Sequence, residues 1–288
     1  MQNYSAVDSN LVKSIILPRS KLSRKGENGI TLIVGGNRIY HGAPLLSSIA
    51  ALRSGTDLVY TAIPKINLSS SRNFSADLIF VPFPDDKLTS GAVRRLLNMI
   101  PKKIDAAGIG MGLSFSKSQS LLALINGLLQ QEVRLIVDAG ALVPEILNNI
   151  TNTKTVITPH AGEFKRLFGI LPTGELDEQL KLVTKFAKEY GLVIALKGFW
   201  NIVSDGDQTF VTQRTTPAMT VGGTGDILSG LVAGYLTKYE SIHACILGLY
   251  FNGMAGLNIF NRMGLHMVAS DLLDELPYVM KAFDKISD

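Results

Sequence analysis

Short runs of consecutive apolar, largely β-branched residues alternate along this chain with stretches in which apolar positions recur every three or four residues. The runs fall at residues 30–34, 57–62, 78–81, 104–109, 133–137, 155–158 and 192–196. Most are apolar at successive rather than alternate positions, as strands covered on both faces tend to be. Between them the spacing predicts helices over 45–53, 93–99, 119–129 and 178–190. Such alternation predicts a mainly parallel central sheet between two helical layers, a three-layer α/β/α sandwich. Residues 201–204 and 209–212 read as a hairpin, with Asp205, Gly206 and Asp207 supplying the positive φ of its turn. Helices are expected to dominate from Gly225 onwards. No segment has the composition of a linker or a repeat, so residues 1–288 are expected to form one domain, with 1–24 an appended arm.

Composition adds material for a large core: 46% of residues are hydrophobic and only 18% charged. The formal charge of +4 is scattered, with no basic stripe of the kind a nucleic-acid reader carries. Cys245, the single cysteine, rules out an intramolecular disulfide and a cysteine metal cluster, and its apolar surroundings predict a buried structural thiol. The first residues are polar and lack the pattern of a signal peptide. No apolar run reaches the length of a spanning helix. A cytoplasmic protein without membrane or nucleic-acid partners is expected.

Ligands of open parallel sheets sit beyond the carboxyl ends of the strands. Five predicted strands run into glycine-rich or polar turns: Gly35-Gly36-Asn37, Gly110-Met111-Gly112, Asp138-Ala139-Gly140, the stretch from Pro159 to Glu163, and Lys197-Gly198. The most informative segment is Gly222-Gly223-Thr224-Gly225-Asp226, followed by an apolar helical pattern. A glycine turn opening a helix presents unpaired N–H groups to which phosphate oxygens have close access. A carboxylate in the first turn, Asp226, can then act as general base on an attacking hydroxyl. The plain alternative is an ordinary tight turn with Thr224 or Asp226 as N-cap. No lysine follows the glycines, so this is not the P-loop.

At this segment the chain resembles the ADP/ATP-dependent NAD(P)H-hydrate dehydratases of the ribokinase-like superfamily. Four further segments carry the resemblance in the family's order: Lys25-Gly26 with Gly29, Gly35-Gly36 through Gly42-Ala43-Pro44, Thr158-Pro159-His160 with Gly162-Glu163, and Leu196-Lys197-Gly198. Together they span about residues 24–260, and no counterpart of the family's frequent epimerase domain is expected. The resemblance implies a ribokinase-like fold and repair of hydrated NADH and NADPH at the expense of ADP or ATP. Asp226, Gly223 and Gly225 are then the catalytic positions. Lys197, Gly198, Phe199, Trp200, Asn201, Gly222, Thr224 and Gly225 fall in the nucleotide-binding stretches. Ala43, Gly112, His160 and Asp226 fall at substrate-contacting positions, and Glu163 is expected to orient Mg²⁺ through water. His41 lies near the same substrate loop. Relatives are often tetrameric, so a homo-oligomer is expected, its interface drawn from the apolar helices around residues 244–260.

Two departures stand out. Gly140 occupies a position where the family pattern has a second acidic residue after Asp138, and Met111 replaces the usual proline, predicting a less rigid loop. His160 reads equally as a helix cap, Glu163 as a first-turn acid, Trp200 as core, and Arg19, Lys21, Arg24 and Lys25 as a solvated face or a holder of a dinucleotide phosphate. A small-molecule kinase of the same fold, acting on a sugar, a hydroxymethylpyrimidine or a thiazole alcohol, remains open. So does a nucleotide-binding sensor without turnover.

Overall fold

The structure, a computed structural model, describes residues 4–84 and 86–288. Its strands are β1 (Ser5–Ala6), β2 (Arg19–Ser20), β3 (Ile30–Val34), β4 (Leu58–Pro64), β5 (Ile79–Phe83), β6 (Ala106–Ile109), β7 (Arg134–Val137), β8 (Val156–Ile157), β9 (Val193–Leu196), β10 (Trp200–Ser204), β11 (Thr209–Gln213) and β12 (Ile286–Ser287). Its helices are α1 (Ser9–Ile15), α2 (Ala43–Arg53), α3 (Leu68–Phe74), α4 (Ser90–Met99), α5 (Ser118–Leu129), α6 (Leu147–Ile150), α7 (Ala161–Phe168), α8 (Leu176–Tyr190), α9 (Thr224–Tyr235), α10 (Ser241–Met263) and α11 (Ala269–Lys281).

The main sheet runs in the order β1-β11-β10-β9-β8-β7-β6-β3-β4-β5. From β9 to β5 every pairing is parallel, whereas β10 is antiparallel to both β9 and β11. The strands are apolar on both faces because each face is covered. One apolar cluster joins alternate strand residues such as Ile33 and Ile136 to α2, α9, α10 and α11. The other joins Leu32, Val34 and Leu135 to α4, α5 and α8. Pro82 is tolerated because β5 is an edge strand.

The arm before Lys25 docks on the fold. Asp8 caps α1, Val12 and Ile15 are buried against the α9–α10 face, and β1 extends the sheet beside β11. At the opposite end of the chain β12 pairs with β2. The helix-plus-turn segment from Ser241 to His266 is long and apolar enough, by length and composition, to cross a membrane. It is also the segment whose Ala244, Cys245, Ile246, Leu247, Phe251 and Ala255 fill the core. Those residues are therefore not a free subunit interface. Cys245 is buried as expected, and burial pushes its thiol up, away from reactivity.

The chain reverses direction between β3 and β6, which places their carboxyl ends at the topological switch point where ligands bind. The two loops there are in contact. Gly36 donates its N–H to the Met111 carbonyl at 2.8 Å, and a Cβ at Gly35 would stand 2.3 Å from that oxygen. Met111 is fully buried, so its side chain anchors the loop after β6.

Helices α2 and α9 lie side by side across this end because glycines let their backbones approach. A Cβ at Gly230 would sit 2.1 Å from the Ser47 carbonyl oxygen. Ser47 Oγ in turn donates to the Asp226 carbonyl at 2.8 Å. Gly230→Ala is therefore expected to separate the helices and lower stability by about 3 kcal/mol, read from the urea midpoint at unchanged m-value.

Candidate active site

Helix α9 is preceded by its N-cap Gly223, whose φ of +102° is the left-handed region that a side chain rarely adopts. A Cβ there would also meet Ala269 Cβ at 2.7 Å and Leu46 Cδ1 at 2.8 Å. Glycine is thus required twice, by conformation and by space. Thr224 Oγ1 donates to the carbonyls of Met219 at 3.0 Å and Val221 at 3.1 Å, tying the helix start to the preceding 3-10 turn, Pro217–Thr220. The amides of Gly222, Gly223, Thr224, Gly225 and Asp226 make no hydrogen bond of good geometry to another described residue. Unpaired donors at a helix N-terminus are an anion site.

Four charged side chains converge beside them. Lys197, at the end of β9, is ion-paired to Asp138 Oδ1 at 2.8 Å. Asp138, at the end of β7 and 2% exposed, also accepts from Ser229 Oγ at 2.6 Å. Burial alone would pull the Lys197 ammonium down, but the charges of Asp138 and Glu163 outweigh it and hold the pKa above its usual value. Asp226 is half-buried, and its carboxylate accepts no hydrogen bond among the described residues. Burial first, then repulsion from Asp138, push it up to about 6 against the attraction of Lys197. A carboxyl so raised can serve as a base near neutral pH.

Helix α7 is started by a capping box: His160 Nδ1 accepts from the amides of Gly162 at 3.0 Å and Glu163 at 3.2 Å, while Glu163 Oε2 accepts from the His160 amide at 2.9 Å. Nδ1 therefore carries no proton, and the ring's Nε2 is the donor it offers. The second Glu163 oxygen lies 3.5 Å from that nitrogen. His160 caps the helix and also lines the cavity.

That cavity, of about 460 Å³, is walled on one side by His160, Lys197, Gly198, Asn201, Thr224 and Gly225. Gly112 and Ala43 meet at the switch point, where a Cβ on Gly112 would stand 3.2 Å from that of Ala43. Gly222, Gly223 and Asp226 are not among the residues that line the cavity; Asp226 follows the lining residue Gly225, and its carbonyl accepts from Ser47 Oγ of α2. Phe199 and Trp200 stack edge to face at 5.2 Å and are not among the residues that line this cavity, Phe199 being 56% exposed and Trp200 packing on the core. Arg19 and Lys21 pair with Asp57 and Asp288 at the amino-terminal end of the sheet, so they hold no phosphate at this site. His41 is exposed just ahead of α2.

Sequence reasoning put the Asp138 turn on the ligand rim but missed its pairing with Lys197 and Ser229, and it missed the cavity's far wall from Thr212 to Thr215 with Leu249, Tyr250 and Asn252. Among the described residues no group of three or more His, Cys, Asp or Glu is arranged to hold a metal ion. Gly140 has a steric reason: a Cβ there would lie 2.5 Å from the Leu113 carbonyl oxygen, so this backbone excludes the second acid of the family pattern.

A mainly parallel sheet between helical layers, with a glycine-walled helix start at its switch point and an acid in the first turn, is a ribokinase-like fold. It superposes on the ADP/ATP-dependent NAD(P)H-hydrate dehydratase of Bacillus subtilis co-crystallised with ATP and Mg²⁺ with a TM-score of 0.84, at 24% identity, over 99% of this chain and 100% of that one. Residues 31–278 match the NAD(P)H-hydrate dehydratase family model. The ADP-dependent (S)-NAD(P)H-hydrate dehydratase of Nitrosopumilus maritimus is 54% identical, over 96% of both chains. The enzyme of the same description from Cenarchaeum symbiosum is 49% identical, again over 96% of both. The chain belongs to the NAD(P)H-hydrate dehydratase family.

Proposed function

We propose that the protein restores NADH and NADPH from their hydrates, using ADP as phosphoryl donor. The observation that carries this is the Asp226 carboxylate, raised to about 6 and standing in the first turn of a helix whose leading amides are unpaired. ADP is preferred to ATP because both relatives above are named as ADP-dependent.

In this reading the ionised Asp226 takes the proton of the ring hydroxyl as that oxygen attacks the terminal phosphorus of ADP. The bond from that phosphorus to the bridging oxygen breaks and AMP leaves. The ring carbon–oxygen bond then breaks, inorganic phosphate departs, and a neighbouring ring C–H proton is lost as the double bond reforms. Hydrate and ADP become reduced coenzyme, AMP and phosphate. Phosphorylation is needed because hydroxide is a poor leaving group. The amides of Gly222 to Gly225 stabilise charge on the migrating group, and Lys197 attracts the nucleotide's phosphates. His160 Nε2, Ala43 and Gly112 shape the substrate side.

Asp138, Glu163 and Asp226 surround the single Lys197 cation, so the site carries excess negative charge where a polyphosphate is to bind. The Asp226 carboxylate and the Glu163 oxygen not bonded to the His160 amide would hold Mg²⁺ through water, which would offset that charge. A cytoplasmic location, where these coenzymes reside, belongs to the same proposal. So does a homo-oligomer, whose apolar contacts would come from Met263, Leu265 and Val268, exposed at and just beyond the end of α10.

The test is incubation with NADH hydrate, Mg²⁺ and ADP, following dihydronicotinamide absorbance and phosphate. Recovery of absorbance with equimolar phosphate and AMP is expected. Accumulation of a phosphorylated alcohol from a substrate screen, without recovery, would make it a kinase. Nucleotide binding with no turnover of any alcohol would make it a sensor.

A further inference from the structure

Arg214, half-buried, belongs to the far wall of the cavity. The antiparallel ladder of β10 and β11 runs one residue beyond Gln213, since the Arg214 amide donates to the Phe199 carbonyl at 2.8 Å. Side chains along a strand alternate between the two faces of a sheet. Phe210 packs in the cluster of α9 and α10, and Val211 in the cluster on the opposite face. Trp200, which stands opposite Gln213, packs with Val211 on that second face. The alternation therefore turns Thr212 and Arg214 to the side of α10, where the cavity lies. The Arg214 guanidinium makes no hydrogen bond, ion pair or ring contact with any described residue.

An unpaired guanidinium partly withdrawn from water calls for an anion. No Asp or Glu is among the described residues that line this cavity, and the Lys and Arg that do are Lys197 and Arg214. Lys197 is committed to Asp138 at 2.8 Å, and its Nζ stands 3.7 Å from where a Cβ on Gly225 would lie, at the start of α9. Arg214 arrives from the far side of β10, two strands or about 10 Å across the sheet. With the transferred phosphate at the amides that open α9, the phosphate left for Arg214 is the one that stays with the nucleoside. That phosphate gains negative charge when its bridging oxygen keeps the electron pair of the broken bond. We infer that Arg214 grips the phosphate that departs as AMP, its planar fork donating to two of that group's oxygens. This rests on the cavity being the nucleotide site, as proposed above.

The probes are ADP, AMP and adenosine, which has the base and ribose but no phosphate. Their binding is measured by calorimetry on the intact protein and on Arg214→Met, which keeps an unbranched apolar stem and loses the charge. The wild type is expected to bind AMP at least about tenfold more tightly than adenosine, the worth of one charge-assisted contact. Arg214→Met should weaken ADP and AMP about tenfold each and leave adenosine within about twofold, so that the AMP-to-adenosine ratio approaches unity. A variant that binds AMP as tightly as the wild type overturns the inference. So does a loss that adenosine shares in full, because Arg214 would then serve the base, the ribose or the shape of the wall. Should the methionine variant fail to fold, Arg214→Gln, which keeps a polar end, reads the same ratio. If the wild type binds no adenine nucleotide at all, the assignment of the cavity falls and the inference with it. That outcome is distinct from tight AMP binding that survives the loss of Arg214, in which the inference alone falls.

Discussion

Asp226→Asn is expected to lower kcat about 10³-fold while leaving the dissociation constant of ADP within about twofold. The amides that hold phosphate belong to the backbone and survive the change, whereas an amide side chain cannot take the proton of the attacking hydroxyl. The pH dependence has a definite sign. The reaction needs the ionised carboxylate, so the wild-type rate falls as pH drops through about 6, where burial and the Asp138 charge have pushed this group. Stability moves the other way. In the unfolded chain Asp226 titrates near its ordinary 3.8, so the folded protein bears the cost of an ionised buried acid at pH 7. The difference between 3.8 and about 6 amounts to at most about 3 kcal/mol, and partial exposure reduces it to about 2. The asparagine variant should therefore melt higher than the wild type at pH 7. The gain should shrink as pH falls from 6 and vanish below about 4. An inactive variant with no gain in melting temperature would show that Asp226 is not held at a raised pKa. A variant that turns over at near wild-type rate would remove it from the chemistry.

The layers were legible because burial on both faces forces the strands to be apolar without alternation. β3 falls where its apolar run predicts, at Ile30–Val34, and the other parallel strands lie within a few residues of theirs. Helix α4 begins at Ser90, three residues ahead of its apolar pattern, because Thr89 caps it through the amide of Ala92. Capping depends on one side chain and escapes a periodicity count. Helix α1 and strand β1 escaped for a related reason: the arm contributes only short elements, and only Val12 and Ile15 of α1 are buried. The turn proposed for phosphate was legible because it is local, five consecutive residues of which Gly223 needs glycine both by its φ and by space. What long-range pairing decides was not. Asp138 and Lys197 are 59 residues apart, and Asp138 and Ser229 are 91 apart, so only the parallel sheet brings them together.

Lys197→Met is expected to cost about 3 kcal/mol of stability at pH 7, because it leaves the buried Asp138 carboxylate with Ser229 as its remaining partner. It should also raise the dissociation constant of ADP by about tenfold or more, through loss of the cation facing the phosphates. Asp138→Asn alone removes a buried charge and leaves Lys197 with the attraction of Glu163 and Asp226, so it should cost less. Combining the two separates the roles. With no carboxylate left uncompensated, the double variant should recover most of the stability lost by Lys197→Met, while its ADP affinity stays low. The pH profiles give an independent reading on the same variants. Lys197 lowers and Asp138 raises the pKa of Asp226. The acidic limb should therefore move above 6 in Lys197→Met and below 6 in Asp138→Asn. Strictly additive stability losses would mean that the pair is not coupled in solution. Limbs that stay together across all three variants would mean that Asp226 does not feel these charges, and that the limb belongs to another group.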